Sequence, residues 1–205
     1  MKIITYPLGQ LQANCYFIVE DTDCLIIDPA DSADFILEQL ILKKLNLVGM
    51  IATHGHFDHT MAAGEISMSL KVPLSIDHKD LFLLKRLEPT ARHFLGYDPV
   101  TLPPQTKNIK GGPQKFGKIN FEIIKTPGHT PGALCIYFKD DNAIFTGDTL
   151  FQGAIGRYDF SYSSKVELDR SLAKLFKLPE DTIVYPGHGE TTTIDLEKEH
   201  RNSII

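Results

Sequence analysis

Apolar residues in the first third of the chain fall in short runs cut by polar turns. Ile3–Tyr6, Asn14–Val19 and Cys24–Ile27 are rich in β-branched and aromatic residues, so the pattern predicts three strands. Glu20–Asp23 is wholly polar and predicts a hairpin between the last two. Asp31–Ser32 offers a helix cap, and Phe35–Lys44 follows with apolar positions at helical spacing. Val48–Ala52 predicts a buried strand, Thr60–Leu70 a helix, Val72–Ile76 a short strand and His78–Leu87 another helix.

Residues 88–114 break this rhythm. Pro89, Pro99, Pro103, Pro104 and Pro113, with Gly96, Gly111 and Gly112, predict a long irregular excursion. A loop of that length in a compact chain is usually functional or mobile. Strands resume at Asn120–Lys125, Ala133–Phe138 and Asn142–Thr146. A helix at Lys165–Phe176, a strand at Thr182–Tyr185 and a short helix over Asp195–His200 complete the pattern. Strands come in runs rather than in strict alternation with helices, which predicts two packed sheets with helices outside. No repeat or linker divides residues 1–205, so one domain is expected.

Composition narrows the partners. Lys and Arg number 21 against 26 Asp and Glu, a formal charge of −5, which argues against a dedicated nucleic-acid binder. No apolar run approaches the ~20 residues that span a bilayer, and the N-terminus has no signal-like apolar region. Cys15, Cys24 and Cys135 have no C-x-x-C spacing and read as reduced thiols of a cytoplasmic protein. Cys15 and Cys135 lie in apolar strands and read as core residues rather than nucleophiles.

The densest chemistry is Thr53-His54-Gly55-His56-Phe57-Asp58-His59, which begins where a predicted strand ends. His54 and His56 are two apart, so extended backbone sends both to one face, and Gly55 lets the chain turn between them. Asp58 and His59 lie at the start of the next helix, turned away from that pair. The four do not converge easily on one ion, but two and two can serve neighbouring ions. Three further strand–turn segments end in a candidate ligand: His129 in Thr126-Pro127-Gly128-His129, Asp148 in Thr146-Gly147-Asp148 and His188 in Tyr185-Pro186-Gly187-His188. Five histidines and two aspartates suit two metal ions, most naturally zinc, with iron or manganese as alternatives. His78, His93 and His200 follow no such turn and read as non-ligands.

These motifs, in this order, resemble the metallo-β-lactamase superfamily and within it the glyoxalase II-like (hydroxyacylglutathione hydrolase-like) branch. The resemblance covers nearly the whole chain. It implies a four-layer αββα sandwich of two mixed β-sheets, helices on the outer faces and metals at one edge. It further implies one ion on His54, His56 and His129, a second on Asp58, His59 and His188, and Asp148 bridging them. Asp28, in Ile27-Asp28-Pro29-Ala30, would orient a ligand imidazole or else cap its turn through Pro29. The family usually has Gly where Ala30 stands.

The segment Gly153–Phe160 resembles the substrate loop of that branch. Arg157, beside Tyr158, would meet a substrate carboxylate, or else pair with Asp159. Lys107 and Lys110 are the next candidates for that contact. The implied chemistry is attack of a metal-bound hydroxide, oriented by Asp58, on a small thioester of the S-lactoylglutathione type. A thiolate departs without strong acid help, whereas an amine needs a proton donor that the sequence does not display. The C-terminal helical domain that full-length glyoxalase II enzymes use for glutathione has no counterpart after His188, so the compact form is expected. A mononuclear iron persulfide dioxygenase and a lactonase are the alternatives on the same scaffold.

Overall fold

The computed structural model describes residues 1–99 and 101–202. One sheet contains, in spatial order, β1 (Lys2–Leu8), β2 (Ala13–Glu20), β3 (Asp23–Ile27), β4 (Asn46–Ile51), β5 (Leu74–Ile76) and β6 (Thr106–Asn108). Its first pairs are antiparallel, and from β3 to β6 the strands run parallel. The second sheet begins with β7 (Gly112–Phe116), β8 (Ile119–Lys125), β9 (Leu134–Phe138) and β10 (Ala143–Gly147). After a small ribbon of β11 (Leu150–Phe151) and β12 (Ala154–Ile155), it adds β13 (Ile183–Pro186) and β14 (Thr192–Thr193). The spatial order is β14-β13-β10-β9-β8-β7, with β10 and β13 parallel. The helices are α1 (Ala33–Leu42), α2 (Phe57–Thr60), α3 (Ala63–Leu70), α4 (Leu81–Leu84), α5 (Leu87–Leu95), α6 (Lys165–Leu175) and α7 (Ile194–Asn202).

The two-residue period of a strand sorts the side chains into layers. Along β2, Tyr16 and Ile18 point between the sheets, where they meet Phe121, Ile136 and Phe145 of the second sheet. Cys15 and Phe17 point the other way, into a layer closed by Ile36 and Leu40 of α1 and Ile66 of α3. On the far side, Cys135, Ile144 and Val184 are covered by Leu168, Leu172 and Leu175 of α6 and Ile194 of α7. Both faces of the central strands are therefore dry, which is why these strands read as unbroken apolar runs. The result is the four-layer αββα sandwich of two mixed sheets.

The strand predictions match closely, and the departures have local causes. The segment at residues 88–114, of which residue 100 lies outside the described residues, is not wholly irregular: it holds α5, β6 and the start of β7. Pro89 is the third residue of α5, where no backbone donor is needed, because the first helical bond comes from Thr90 N to Arg86 O. Pro113 sits on β7, an edge strand that tolerates it. The helix expected over Thr60–Leu70 is split between α2 and α3. That expected over His78–Leu87 is a 3-10 turn, His78–Asp80, followed by α4. Ser32 stands at the start of α1 with φ 61° and its side chain makes no capping bond; Asp31 Oδ1 instead accepts from Ser32 N at 2.6 Å.

One edge of the sandwich collects the loops that carry the candidate chemistry. Asp28 follows β3, residues 53–59 follow β4, Asp148 follows β10 and His188 follows β13, each at a carboxyl end. Leu134 N donates to Thr53 O at 2.9 Å and Asn14 N to Gly187 O at 2.8 Å, so backbone bonds tie the two sheets together there. None of the described helices is long and apolar enough to cross a membrane.

The outer layer over the second sheet depends on the apolar stripe of α6. Leu172 is fully buried in it, so Leu172→Ala should lower unfolding free energy by about 2–5 kcal/mol. A denaturant midpoint shift with an unchanged slope would report this, and a loss under ~1 kcal/mol would contradict the packing.

Candidate metal centre

Seven side chains named from the motifs meet at this edge in two sets. The first holds His54, His56, His129 and Asp148, and the second Asp58, His59 and His188; in each set the candidate ligand atoms lie within 4.8 Å of one another. Asp148 stands between them. Its Oδ2 faces His129 Nε2 at 3.5 Å and His54 Nε2 at 4.0 Å, while its Oδ1 faces His59 Nε2 at 3.4 Å and His188 Nε2 at 3.9 Å. Asp58 Oδ2 lies 3.2 Å from His188 Nε2 and 3.7 Å from His59 Nε2.

Every imidazole is held from behind. His59 Nδ1 meets Asp28 Oδ2 at 2.9 Å, His129 Nδ1 meets Arg157 O at 2.9 Å and His188 Nδ1 meets Leu11 O at 3.0 Å. A carbonyl or carboxylate oxygen only accepts, so these rear nitrogens carry the proton and the forward nitrogens are free to bind a cation. His54 Nδ1 lies 3.0 Å from Thr53 Oγ1, whose own proton goes to Asp28 Oδ2 at 2.8 Å, so it too donates to the rear. His56 Nε2 meets the Tyr162 hydroxyl at 2.9 Å.

The front of the site is where polar groups lack partners. His54 Nε2 and His129 Nε2 both approach His56 Nδ1, at 3.0 and 3.1 Å, and one proton cannot satisfy that convergence of lone pairs. Asp148 Oδ1 is buried and accepts no hydrogen bond. A buried oxygen without a donor, ringed by imidazole nitrogens, is the arrangement a divalent cation satisfies. The donor set of imidazoles and carboxylates suits zinc, iron or manganese alike.

The two sets differ electrostatically. Burial holds the His54 imidazole well below its usual value, with His59 and His56 adding to the effect. Burial likewise, with His129, brings His56 down to about 4. Burial also opposes a charge on His59, but Asp58, Asp148 and Asp28 outweigh it and hold its pKa well above normal. His188 is raised in the same sense: burial opposes the charge, and Asp58 and Asp148 overcome it. Burial of Asp148 and Asp58 is outweighed in turn by the histidines, chiefly His59, which keep both carboxyls below the usual range. The carboxylates thus favour positive charge at the second set, where a cation would sit.

Asp28 does more than cap a turn. It accepts Thr53 N at 2.6 Å, Thr53 Oγ1 at 2.8 Å and His59 Nδ1 at 2.9 Å, so one buried carboxylate braces His59 of the second set directly and His54 of the first through Thr53. Ala30, at φ 38°, takes the left-handed backbone that glycine adopts more readily, and its N donates to His59 O at 3.0 Å. The Arg157 guanidinium is forked onto Asp159 at 2.8 and 3.0 Å and lies 4.6 Å over the Phe160 ring. Tyr158 is exposed with Lys165 Nζ 5.8 Å above its ring. Tyr162 and Phe160, not singled out in the sequence, lie closer to the imidazoles. Phe160 stacks on Tyr162 at 5.3 Å and stands edge-on to His56 at 5.4 Å. Their only sequence signal is position, just past Arg157. Cys15, Cys24 and Cys135 are buried thiols far from ionisation, the last two pushed up to about 12 by burial.

An αββα sandwich with paired imidazole–carboxylate clusters at one sheet edge defines a class of metal-binding proteins. The family model described as the metallo-beta-lactamase superfamily matches residues 8–188. The chain belongs to that superfamily. It is 38% identical over 97% of its length, and 95% of the relative's, to a Haemophilus influenzae protein named hydroxyacylglutathione hydrolase GloC. Among solved structures it is similar to the BLEG-1 B3 metallo-beta-lactamase, with TM-score 0.90, 30% identity and 97% of each chain covered. It is similar also to TTHA1623 in a di-iron-bound form, with TM-score 0.88, 32% identity and 98% of each chain covered.

Asp28→Asn keeps the side chain's shape but offers one acceptor oxygen where two are used. Cation affinity should fall about 10–100-fold, as measured by competition with a chromophoric chelator. Unchanged affinity in the folded variant would mean that His59 and Thr53 hold their positions without the carboxylate.

Proposed function

We propose that the chain is a binuclear metal-dependent hydrolase acting on thioesters of the S-lactoylglutathione type. The observation that carries this reading is Asp148: a half-buried carboxylate with one oxygen toward each set and no hydrogen-bond donor on the buried oxygen that faces the second. In this reading His54, His56 and His129 hold one ion, Asp58, His59 and His188 the other, and Asp148 joins both. The di-iron form of TTHA1623 and the name of the Haemophilus relative support it. Divalent cations at such a centre supply Lewis acidity and an activated water nucleophile. Zinc is the first expectation, with iron or manganese as alternatives.

The chain's own residues set the rest. Asp58, with Oδ2 turned to His188 and His59, is placed to orient the attacking water as well as to bind. Asp28, Thr53 and the carbonyls of Arg157 and Leu11 keep the imidazoles in register through the reaction. The relatives' names span an amide and a thioester, so the leaving group must be judged on this site. Asp58 and Asp148 are held ionised and have no proton to give, and burial keeps the Tyr162 hydroxyl a weaker acid than usual. An amine would lack its proton, whereas a thiolate of pKa ~8.5 leaves unaided.

Leu8, Leu11, Phe57, Met61 and Leu95 form apolar surroundings beside Asp58. On the other side Phe160 and Tyr162 flank His56. Arg157 lies on that same loop, and its pairing with Asp159 is exposed. An exposed ion pair is weak, so a substrate carboxylate can take up the guanidinium.

Metal analysis of the purified protein should give close to two ions per chain. Asp148→Ala should empty both positions, and His188→Ala mainly one. A single tightly held ion, indifferent to His188→Ala in occupancy and activity, would overturn the binuclear reading. S-lactoylglutathione should be cleaved much faster than a β-lactam. Oxygen uptake with glutathione persulfide and copurifying iron would instead place the chain with the dioxygenases, and ring opening confined to lactones would make it a lactonase. Arg157→Ala should raise KM for a carboxylate-bearing thioester while kcat stays nearly constant, with little effect on a neutral thioester. Equal losses on both, with a lower melting temperature, would make Arg157 structural.

A further inference from the structure

The side chain that joins the two loops of the first set is marked by no motif. Asp80, at the end of the turn after β5, is fully buried. Its Oδ2 accepts Gly55 N at 3.0 Å and Thr130 Oγ1 at 2.7 Å, and its Oδ1 accepts Gly132 N at 2.6 Å. Gly55 stands between His54 and His56, and Thr130 directly follows His129. One carboxylate thus bonds the loop from the first sheet and the loop from the second, behind the three imidazoles that converge in front. Among the described residues no lysine or arginine pairs with it; three hydrogen-bond donors satisfy it.

The two glycines explain themselves through this contact. Neither Gly55 nor Gly132 has the left-handed φ that would require glycine. A Cβ on Gly55 would stand 2.8 Å from the Asp80 carbonyl oxygen, and one on Gly132 would stand 2.6 Å from the Asp80 carboxylate. Both positions are bare so that Asp80 can reach the backbone. Gly55 therefore serves close approach rather than the turn expected from the sequence.

We propose that Asp80 is a positioning residue for the His54–His56–His129 set. It fixes the separation of the two loops and thereby the cation affinity of that set. The Asp58–His59–His188 set, braced by Asp28 and the Leu11 carbonyl, does not depend on it. The proposal rests on the metal-centre reading above.

The test isolates the first set in a His188→Ala background and titrates the full chain with cobalt(II), following visible absorption. Asp80→Asn should weaken the remaining cobalt at least about tenfold and alter its ligand-field bands. Thr130→Val, which removes one bond and keeps the carboxylate, should weaken it less, in the same direction, and stands as the test should Asp80→Asn not fold. Leu172→Ala, in the same background, lowers stability on the far side of the second sheet and should move neither affinity nor bands. Affinity and spectrum unchanged in Asp80→Asn and Thr130→Val would overturn the proposal, as would an equal change in Leu172→Ala. Failure of the metal-centre reading would look different: the parent chain would take up fewer than two cobalt ions and His188→Ala would remove none.

Discussion

The constraint on which this structure turns is the gathering of seven ionisable side chains, three of them buried and four half-buried, at one edge of an apolar sandwich. Such groups are tolerated only if every polar atom has a partner. Behind the imidazoles the partners are protein oxygens, and the most connected is Asp28, which holds His59 directly and His54 through Thr53. In front, lone pairs and a bare carboxylate oxygen face one another. The rear bonds fix which nitrogen of each ring is available, and the forward atoms are left facing one another in the way a divalent cation satisfies.

That demand explains features of the fold that packing alone does not. The sandwich needs its strands only to alternate apolar faces, but the site needs several strand ends to finish together. The parallel run from β3 to β5 in one sheet and the β10–β13 pair in the other put those ends at the same edge. Backbone bonds from Leu134 to Thr53 and from Asn14 to Gly187 lock the sheets where the loops emerge. The side-chain amide of Asn14 adds bonds to Pro186 O and Gly189 O, fastening the turn that carries His188. Stability and site geometry therefore share the same hydrogen bonds at this edge.

The two sets are unequal in charge, and the inequality bears on chemistry. The first presents three imidazoles and one oxygen of Asp148; the second adds the carboxylate of Asp58. With both aspartates held ionised, neither carboxyl can serve as an acid. Under the proposed function, a substrate whose leaving group needs no proton suits such a centre, with the exposed Arg157 loop to meet any distant charge.

Much of this was legible in the chain itself. Short apolar runs give the strands and the layered sandwich, because a strand covered on both faces needs no polar positions. His54, His56, Asp58, His59, His129, Asp148 and His188 stand out because each follows a strand and a turn, and strand ends are local features. The elements that escaped are those defined by distant partners. α5 forms where prolines suggested a loop, since it packs on Phe57 and Met61 of the α2 segment. Tyr162 and Asp80 carry no spacing signal, because what makes them matter is a hydrogen bond to a loop far along the chain. Gly55 reads as a turn residue until the Asp80 carbonyl is seen against it. The sequence by itself determined which side chains have metal-binding chemistry and which strands deliver them. Only the tertiary structure decided which nitrogen of each imidazole faces inward, how Asp148 divides its oxygens and which buried carboxylates brace the loops. Those choices depend on contacts between residues remote in sequence, and local pattern carries no record of them.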